Sequence, residues 1–223
     1  MRGRLLLVPG LLSALAQPMD GRTIDDVLRA FGPAARERLR PHFASADISY
    51  PPRSLTLLAL KEERRVELWA NAGASPRLVH TYPVLAASGV TGPKLRQGDL
   101  QVPEGVYRIP WLNPNSRYHL SMKVDYPNAF DRRRARAEGR TDLGGDIFIH
   151  GRDVSIGCIA LGDPAIEELF VLASDVGLAR IKVLIAPRDL RRHAGRDAAP
   201  ARSTWLDELY GSLRREMAAL SVR

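Results

Sequence analysis

The stretch Asp146-Ile-Phe-Ile-His150-Gly-Arg-Asp-Val-Ser-Ile-Gly-Cys158 joins a short apolar run to a turn that contains two glycines. The apolar run predicts a strand, and the rigid end of a strand often holds a functional side chain at the start of a loop. Gly151 and Gly157 stand beside the histidine and the cysteine, and glycine lets a backbone approach closely and adopt unusual angles. We therefore expect this segment to bring an imidazole and a thiol close together.

The residue types at the two ends of this segment suit thiol catalysis. Only a thiolate attacks a carbonyl carbon, and a thiol with an ordinary pKa is mostly protonated at neutral pH. We expect the imidazole of His150 to take this proton, so that an ion pair keeps the Cys158 thiolate available. A tight turn at Gly157 and Cys158 can direct backbone N–H groups at a developing oxyanion, and the Ser155 hydroxyl adds a hydrogen bond nearby.

Two other interpretations of the segment stay open on its residues alone. A β-hairpin with an inert buried cysteine and a structural histidine has the same spacing. A metal site built from His150, Asp153 and Cys158 lacks a convincing fourth ligand and any spacing of the C-x-x-C type, which disfavours it. The sequence also suggests no cofactor.

The remaining sequence predicts a β-rich α+β domain with helices at both chain ends. Apolar residues make up 45% of the chain, enough for a buried core. Asp163 as N-cap and Pro164 in the first turn predict a helix that Gly177 ends. Alternating and apolar runs predict a hairpin formed by residues 55–61 and 64–70, and further strands at residues 79–86, 106–109, 118–124 and 180–186.

Four regions follow from this pattern. We expect a signal peptide at residues 1–16, a helical segment and linker at 17–53, a catalytic domain at 54–187, and a basic loop with an amphipathic helix at 188–223. Thr23 predicts a helix start, and Pro33 and Pro41 predict that this region is broken into short helical pieces. The polar run at residues 131–140 predicts a solvated helix or a flap.

The first residues predict export to the periplasm or cell envelope. Arg2 and Arg4 precede an apolar run that ends in Ala14-Leu15-Ala16, the layout of a cleavable signal peptide, and the run is too short to span a bilayer. The chain has one cysteine, so an exported form carries a free reactive thiol or an intermolecular link. Its net charge of +8 predicts an anionic partner. Export and the lack of a basic motif with interleaved aromatic residues disfavour nucleic acid.

Several segments, in order along the chain, resemble the catalytic domain of the L,D-transpeptidase family (YkuD type). The match begins with the residues that surround the histidine and the cysteine, and it covers roughly residues 55–187. The other matching segments are Gly89-Val-Thr-Gly-Pro-Lys94, Gln97-Gly-Asp-Leu-Gln-Val-Pro-Glu-Gly-Val-Tyr-Arg-Ile109 and Asp163-Pro-Ala-Ile-Glu-Glu-Leu-Phe170. The resemblance implies a sandwich or barrel of mixed strands with a helix after the catalytic cysteine.

Two departures from the family pattern resemble its YafK-like branch. Ile156 stands where most members have a histidine directly before Gly-Cys, and the loop between His150 and Cys158 is short. The segment Asn113-Pro-Asn-Ser-Arg-Tyr-His-Leu-Ser121 is also similar to that branch. The branch includes transpeptidases and hydrolases that act at diaminopimelate, so the resemblance leaves the reaction open.

Carried over residue by residue, the resemblance implies that Cys158 becomes acylated and that His150 serves as its base. It further implies that the Gly151 carbonyl orients the imidazole, that the N–H groups of Gly157 and Cys158 hold the oxyanion, and that Ser155 occupies the family's Ser/Thr position. Candidate substrate contacts, for which packing is the competing interpretation, are Arg152, Tyr118, His119, Tyr126 and Asn128.

Together with the predicted export, this resemblance implies an exported cysteine acyltransferase acting on peptidoglycan stem peptides. Three alternatives stay open: an amidase or peptidase that hydrolyses a bond at diaminopimelate, a non-catalytic peptidoglycan-binding module, and a thiol redox protein. The last of these lacks a second cysteine to resolve an intramolecular disulfide.

Overall fold

The computed structural model describes residues 21–71, 73, 75–192 and 204–220. Helix α1 spans Ile24–Ser45, and a capping box between Thr23 and Asp26 starts it. It runs unbroken through Pro33 and Pro41, so the prediction of short helical pieces was wrong. Both prolines face solvent, where water can satisfy the carbonyls that lose their helical donors, while the opposite face packs on helix α3 (Asp163–Val176).

The larger of two sheets has five strands in the order β3-β2-β1-β9-β4. All neighbours are antiparallel except β1 and β9, which are parallel. Its strands are β1 (Ser54–Leu60), β2 (Arg65–Asn71), β3 (Arg77–Pro83), β4 (Gly105–Arg108) and β9 (Ile181–Ala186). The predicted hairpin is therefore present as β1 and β2.

The smaller sheet carries the histidine that the sequence singles out. Its four strands lie in the order β5-β6-β7-β8, and only β7 and β8 are parallel. They are β5 (Trp111–Asn113), β6 (Ser121–Lys123), β7 (Phe148–His150) and β8 (Ile159–Ala160). Strand β5 was not predicted, because three residues are too few to show a period of two. Both sheets are open, so within the described residues the fold is a two-sheet α+β structure and not a closed barrel.

Alternate residues of β1 and β9 enter two separate cores, which explains their nearly continuous apolar sequences. Leu57 and Val183 point into the main core, which the smaller sheet, α1 and α3 help to close. Leu58 and Leu184 point to the opposite face, which helix α4 (Thr204–Ala218) covers. The larger sheet is thus buried on both faces and provides a rigid support for the smaller one.

Two helix ends differ in detail from the sequence prediction. Helix α3 ends at Gly177 as expected, but its N-cap is Gly162 and not Asp163. The polar run at 131–140 lies mostly in helix α2 (Ala129–Ala137), which Asn128 caps. No helix in the described ranges is long and apolar enough to cross a membrane. The predicted signal peptide lies outside those ranges.

Candidate active site

Strand register puts His150 and Cys158 on one face of the smaller sheet. In the parallel pair β7 and β8, Ile149 faces Ile159 and His150 faces Ala160. Continued by one residue, this register sets Cys158 opposite Phe148. Because side chains alternate between faces along a strand, Phe148, His150 and Cys158 point the same way. The histidine and the cysteine are therefore diagonal neighbours, which the spacing in the sequence could not establish.

The imidazole of His150 is buried and held in one tautomer. Its Nδ1 lies 2.7 Å from the carbonyl oxygen of Gly151. A carbonyl only accepts hydrogen bonds, so Nδ1 carries the proton and Nε2 is left with a lone pair. Burial lowers the pKa of His150 below its ordinary value, and the Gly151 carbonyl opposes this shift in part. The ring is thus a neutral base at neutral pH.

The thiol of Cys158 is half-buried and lies against strand β7. Its Sγ lies 3.5 Å from the carbonyl oxygen of Asp146. Burial raises the pKa of the thiol, while a hydrogen bond from the Phe148 backbone and the charge of Lys123 act in the opposite direction. In the described part of the chain no hydrogen bond joins Cys158 to His150. The structure therefore favours a neutral thiol beside a neutral imidazole, not the ion pair expected from the sequence.

Two serine hydroxyls hold the turn that carries the nucleophile. Ser155 Oγ accepts a hydrogen bond from the Cys158 N–H at 3.0 Å and donates to the Cys158 carbonyl at 2.7 Å. The Gly157 N–H donates to Ser88 Oγ at 2.5 Å. Gly157 has a φ of +83°, a conformation that L side chains rarely adopt. Both N–H groups expected to hold an oxyanion therefore already have hydroxyl partners.

The backbone at Gly151 is closely surrounded. A Cβ there would lie 2.5 Å from the Asp163 carboxylate and 2.7 Å from the Tyr118 carbonyl, so the position requires glycine. Asp163 Oδ1 accepts a hydrogen bond from the Arg152 N–H at 2.8 Å, which explains why it does not cap α3. The start of α3 thus fixes the peptide that orients His150.

A buried, tautomer-fixed histidine and a lone cysteine on one sheet face agree with the result of comparing the chain with known proteins. The family model described as YkuD, the L,D-transpeptidase catalytic domain, matches residues 56–184, more than half of the chain. The chain belongs to the L,D-transpeptidase catalytic domain family.

Among curated relatives, the chain is 36% identical over 143 residues to YafK of Escherichia coli (strain K12), which carries the name of a candidate L,D-transpeptidase. The same values hold for YafK of strain O157:H7. The match covers 60% of this chain and 56% of YafK, so the chain spans little more than half of that relative's length. This similarity supports the YafK-like branch within the family.

Among solved structures, the chain is similar to the helical cell shape determining protein Pgp2 from Campylobacter jejuni. That match has a TM-score of 0.51 and 24% identity, and covers 63% of this chain and 50% of Pgp2. A mutant form of Pgp2 matches with a TM-score of 0.50 and 21% identity, covering 76% of this chain and 56% of the other. These matches show a shared fold.

The structure separates the five candidate substrate contacts of this L,D-transpeptidase-type domain. Tyr118 stacks on the His150 ring, with centroids 4.5 Å apart, and remains partly exposed. Arg152 is exposed beside the site, with its side chain directed to solvent. His119 lies one residue further on and instead bonds Glu167 at 2.9 Å.

Two of the candidates make structural contacts, and their role as substrate contacts stays a prediction. Tyr126 is only 3% exposed, and its hydroxyl donates to the carbonyls of Lys94 and Leu143. Asn128 caps helix α2 through its Oδ1, and its Nδ2 donates to the carbonyl of Val106. Both side chains thus make hydrogen bonds to backbone groups of neighbouring segments.

Two residues of the family domain near the thiol were missed by the sequence analysis. Ser88 directly precedes Gly89, the first residue of a family segment, and this adjacency could have indicated that Ser88 lies near the site. Lys123 lies beside the thiol, bonded to the Gly145 carbonyl and, at 3.0 Å, to the Asp146 carboxylate. Its sequence neighbours gave no indication of this, since 35 positions separate it from Cys158.

An open groove of about 990 Å³ begins at Ser88, next to the nucleophile's turn. Its lining includes Val90, Leu100, Arg140 and Asp142, so it offers apolar surface and both signs of charge. Ile156, two residues before Cys158, is 74% exposed. Within the described residues no three His, Cys, Asp or Glu side chains are grouped so as to hold a metal ion.

Proposed function

We propose that this chain is an exported thiol acyltransferase that acts on peptidoglycan stem peptides, with Cys158 as nucleophile and His150 as base. One observation supports this most directly: the Gly151 carbonyl binds Nδ1 of His150 at 2.7 Å, which leaves Nε2 as a proton acceptor on the same sheet face as Cys158. In this proposal the Gly151 carbonyl orients the imidazole and fixes its tautomer, as a carboxylate does in a catalytic triad.

In the first half-reaction the Cys158 sulfur attacks a stem-peptide carbonyl carbon. The thiol proton passes to Nε2 of His150, and the carbonyl π electrons move onto oxygen. As the tetrahedral intermediate collapses, the carbon–nitrogen bond breaks and His150 gives its proton to the leaving amine. A thioester on Cys158 and a free amine are the products. A neutral pair suits this order, because proton transfer accompanies attack.

In the second half-reaction an amine from another stem peptide attacks the thioester carbonyl. Neutral His150 takes a proton from that amine, and the thiolate that leaves is reprotonated by His150. A new peptide bond forms and the free thiol returns. Water competes with the acceptor amine for the thioester. Transpeptidation is faster than hydrolysis only if the amine is held in line with the carbonyl, since positioning supplies a large effective concentration. The groove beside Ser88 is the proposed acceptor or donor channel.

The oxyanion of each intermediate needs N–H donors that point at the reacting carbonyl. The N–H groups of Gly157 and Cys158 are the proposed donors. In the free enzyme each of these N–H groups donates a hydrogen bond to a serine hydroxyl. The carbonyl oxygen of the substrate must therefore displace that hydroxyl or become a second acceptor of the same N–H. Ser155 and Ser88 are thus proposed to hold the turn until a carbonyl oxygen arrives.

Charged groups around the thiol suit a substrate that carries carboxylates. Arg152 is exposed next to Gly151, and Lys123 lies beside Cys158. A stem peptide presents carboxylates close to its scissile bond, so we propose that these two cations contact it. The net charge of +8 suits an anionic wall polymer.

Hydrolysis of a bond at diaminopimelate is the second candidate, favoured by one observation. Ile156 is 74% exposed where most members of the family have a histidine, so one polar group that can bind an acceptor is absent. A non-catalytic wall-binding module is disfavoured, because a pure binder has no use for a free thiol beside a tautomer-fixed base. Export through residues 1–16 remains part of the proposal, with the periplasm or cell envelope as the location.

Incubation with defined muropeptides tests these proposals. The purified protein receives a stem-peptide donor with and without an excess of acceptor stem peptide, and products are identified by mass spectrometry. Cross-linked dimer together with a thioester adduct on Cys158 is the expected result. If only hydrolysed donor appears at every acceptor concentration, the transpeptidase proposal is wrong and the amidase proposal takes its place. Unchanged donor with the wild-type protein and with a Cys158→Ala control contradicts both enzymatic functions.

A further inference from the structure

The segment that precedes the family domain contacts a loop of the active site. The matched family model begins at residue 56, whereas residues 21–31 and the rest of α1 lie before it. We call residues 21–31 the N-terminal clamp, and residues 113–119, which run from the last residue of β5 toward β6, the 113–119 loop. The clamp reaches this loop across more than 90 positions of sequence.

Arg22 and Asn115 make the first connection between the two segments. The Arg22 N–H donates to Asn115 Oδ1 at 2.8 Å, and Asn115 Nδ2 donates to the Arg22 carbonyl at 2.8 Å. The Arg22 guanidinium also donates to the carbonyls of Pro114 at 2.7 Å and His119 at 3.1 Å. One residue of the clamp thus binds both ends of the loop.

Phe31 and α1 make the second connection, at His119. The Phe31 ring meets the His119 ring edge-on, with centroids 5.1 Å apart, and His119 Nε2 lies 2.9 Å from Glu167 Oε1. Glu167 in turn accepts a hydrogen bond from Arg38 of α1 at 3.1 Å. His119 has a φ of 72°, a conformation that a residue with a Cβ keeps only when its surroundings enforce it.

The 113–119 loop ends directly on the catalytic base. The Tyr118 ring stacks on the His150 ring at 4.5 Å with a tilt of 31°. The Tyr118 carbonyl oxygen lies so close to Gly151 that a Cβ there would be only 2.7 Å from it. The Gly151 N–H donates to the Leu120 carbonyl at 3.2 Å. The loop therefore covers the imidazole and borders the peptide whose carbonyl orients it.

We propose that the N-terminal clamp positions His150 through the 113–119 loop, with Tyr118 as the positioning residue and Arg22 as the main link to the clamp. Without the clamp the loop loses the Arg22 bonds near both of its ends and the Phe31 contact, and Tyr118 is then less restrained against the imidazole. This inference rests on the proposed function only for its effect on turnover, because the placement of the ring can be measured without substrate.

The groups that surround the His150 ring determine how its pKa responds to a substitution. Three titratable side chains face this region: Tyr118 stacks on the ring, Cys158 lies on the same side of the sheet, and Asp163 borders Gly151. Burial is the main cause of the lowered His150 pKa, and no charged side chain contributes to the shift. Loss of the Tyr118 cover thus acts on this pKa mainly by admitting water.

The test follows the His150 ring by NMR titration in protein with labelled histidine, where the spectrum of His150→Gln identifies its signal among the five histidines. Tyr118→Leu should move the His150 pKa up toward its ordinary value of 6.5, and Arg22→Ala should move it the same way by less. Tyr118→Phe keeps the ring and should titrate like wild type. Arg40→Ala is the matched control, since this arginine is exposed on α1 and lies outside the clamp.

Turnover provides the second readout. Tyr118→Leu and Arg22→Ala should lower kcat about tenfold with little change in KM, because a misplaced base weakens the chemical step more than binding. The inference is overturned if folded Arg22→Ala titrates His150 as wild type does, whatever Tyr118→Leu shows, because the clamp then has no effect on the ring. The two failures are distinguishable: wild-type protein without any acyl transfer contradicts the proposed function, while the titration still decides the clamp.

Discussion

The hydroxyl oxygen of Ser88 lies 2.5 Å from the amide nitrogen of Gly157, although 69 positions separate the two residues. The same hydroxyl donates to the Leu100 carbonyl at 2.7 Å. Ser88 thus connects three segments: the loop after β3, the loop before β4 and the turn of the nucleophile. It is the contact that ties the position of Cys158 to the family segment at residues 89–94.

Replacing Ser88 with alanine should loosen this turn. The Gly157 N–H loses its acceptor, so we expect the free energy of unfolding to fall by about 1 kcal/mol. Acyl transfer should fall on the order of tenfold, because the nucleophile is less well placed. Urea unfolding and muropeptide turnover measure the two effects, and Ser49→Ala, at an exposed site, is the control. A rise in turnover would mean that Ser88 blocks an oxyanion donor.

The pH dependence should be that of a neutral pair. Burial raises the pKa of the Cys158 thiol, so its alkylation by iodoacetamide should have a midpoint above the ordinary 9.0. Burial lowers the pKa of His150, so its base form is present at and above pH 6.5, and the acid limb of kcat/KM should lie below that value. An alkylation midpoint near neutrality would show that the expected ion pair forms after all.

The same lowered pKa predicts the direction in which stability changes with pH. The unfolded chain binds a proton at its His150 more readily than the folded chain does, so protonation favours unfolding. This contribution is absent above pH 6.5 and should reduce the free energy of unfolding as the pH falls below it. His150→Gln should remove this part of the acid sensitivity.

Lys123 should tune the reactivity of the thiol. Its charge lowers the pKa of Cys158, so Lys123→Gln should raise that pKa further. We expect alkylation at pH 8 to slow about twofold to fivefold, the effect of a partly exposed charge. Lys182→Gln is the matched control, because Lys182 pairs with Glu216 on the far side of the larger sheet. Equal alkylation rates for the two variants would contradict an electrostatic action of Lys123.

Glu104 should be one of the most sensitive core positions. It is 1% exposed and accepts hydrogen bonds from Lys61 Nζ at 2.9 Å, the Gly92 N–H at 2.6 Å and the Tyr210 hydroxyl at 2.8 Å. Glu104→Gln leaves the buried Lys61 without its counter-charge, so we expect a loss of about 3 kcal/mol in the free energy of unfolding.

Chemical denaturation decides this prediction, with exposed Glu37→Gln as the control. Because Glu104 also holds Gly92, a variant that stays folded should show a more mobile loop at residues 89–101. Equal free energies of unfolding for the two variants would mean that water reaches Lys61 and solvates its charge when the Glu104 carboxylate is removed.

Local patterns predicted most of the strands, the start of α1 at Thr23 and the end of α3 at Gly177. The β1–β2 hairpin and the stop of α3 at Gly177 follow from residues that lie next to each other in the chain. Helix α1 was missed as one unit because Pro33 and Pro41 break a helix locally, whereas its packing on α3 acts over long range. Tyr126 was assigned to a groove because aromatic residues suit both a core and a binding surface.

The sequence by itself determined which residues can do chemistry here: one thiol, one histidine at a strand end, and the glycines around them. That information is local, because residue type and near spacing limit what a backbone and a side chain can do. Only the tertiary structure decided how these groups are set: the face shared by His150 and Cys158, the Gly151 carbonyl on Nδ1, the hydroxyl of Ser88 on Gly157, and the neutral state that burial favours. Those properties depend on desolvation and on hydrogen bonds between segments far apart in sequence, and both arise only when the sheets and helices have packed.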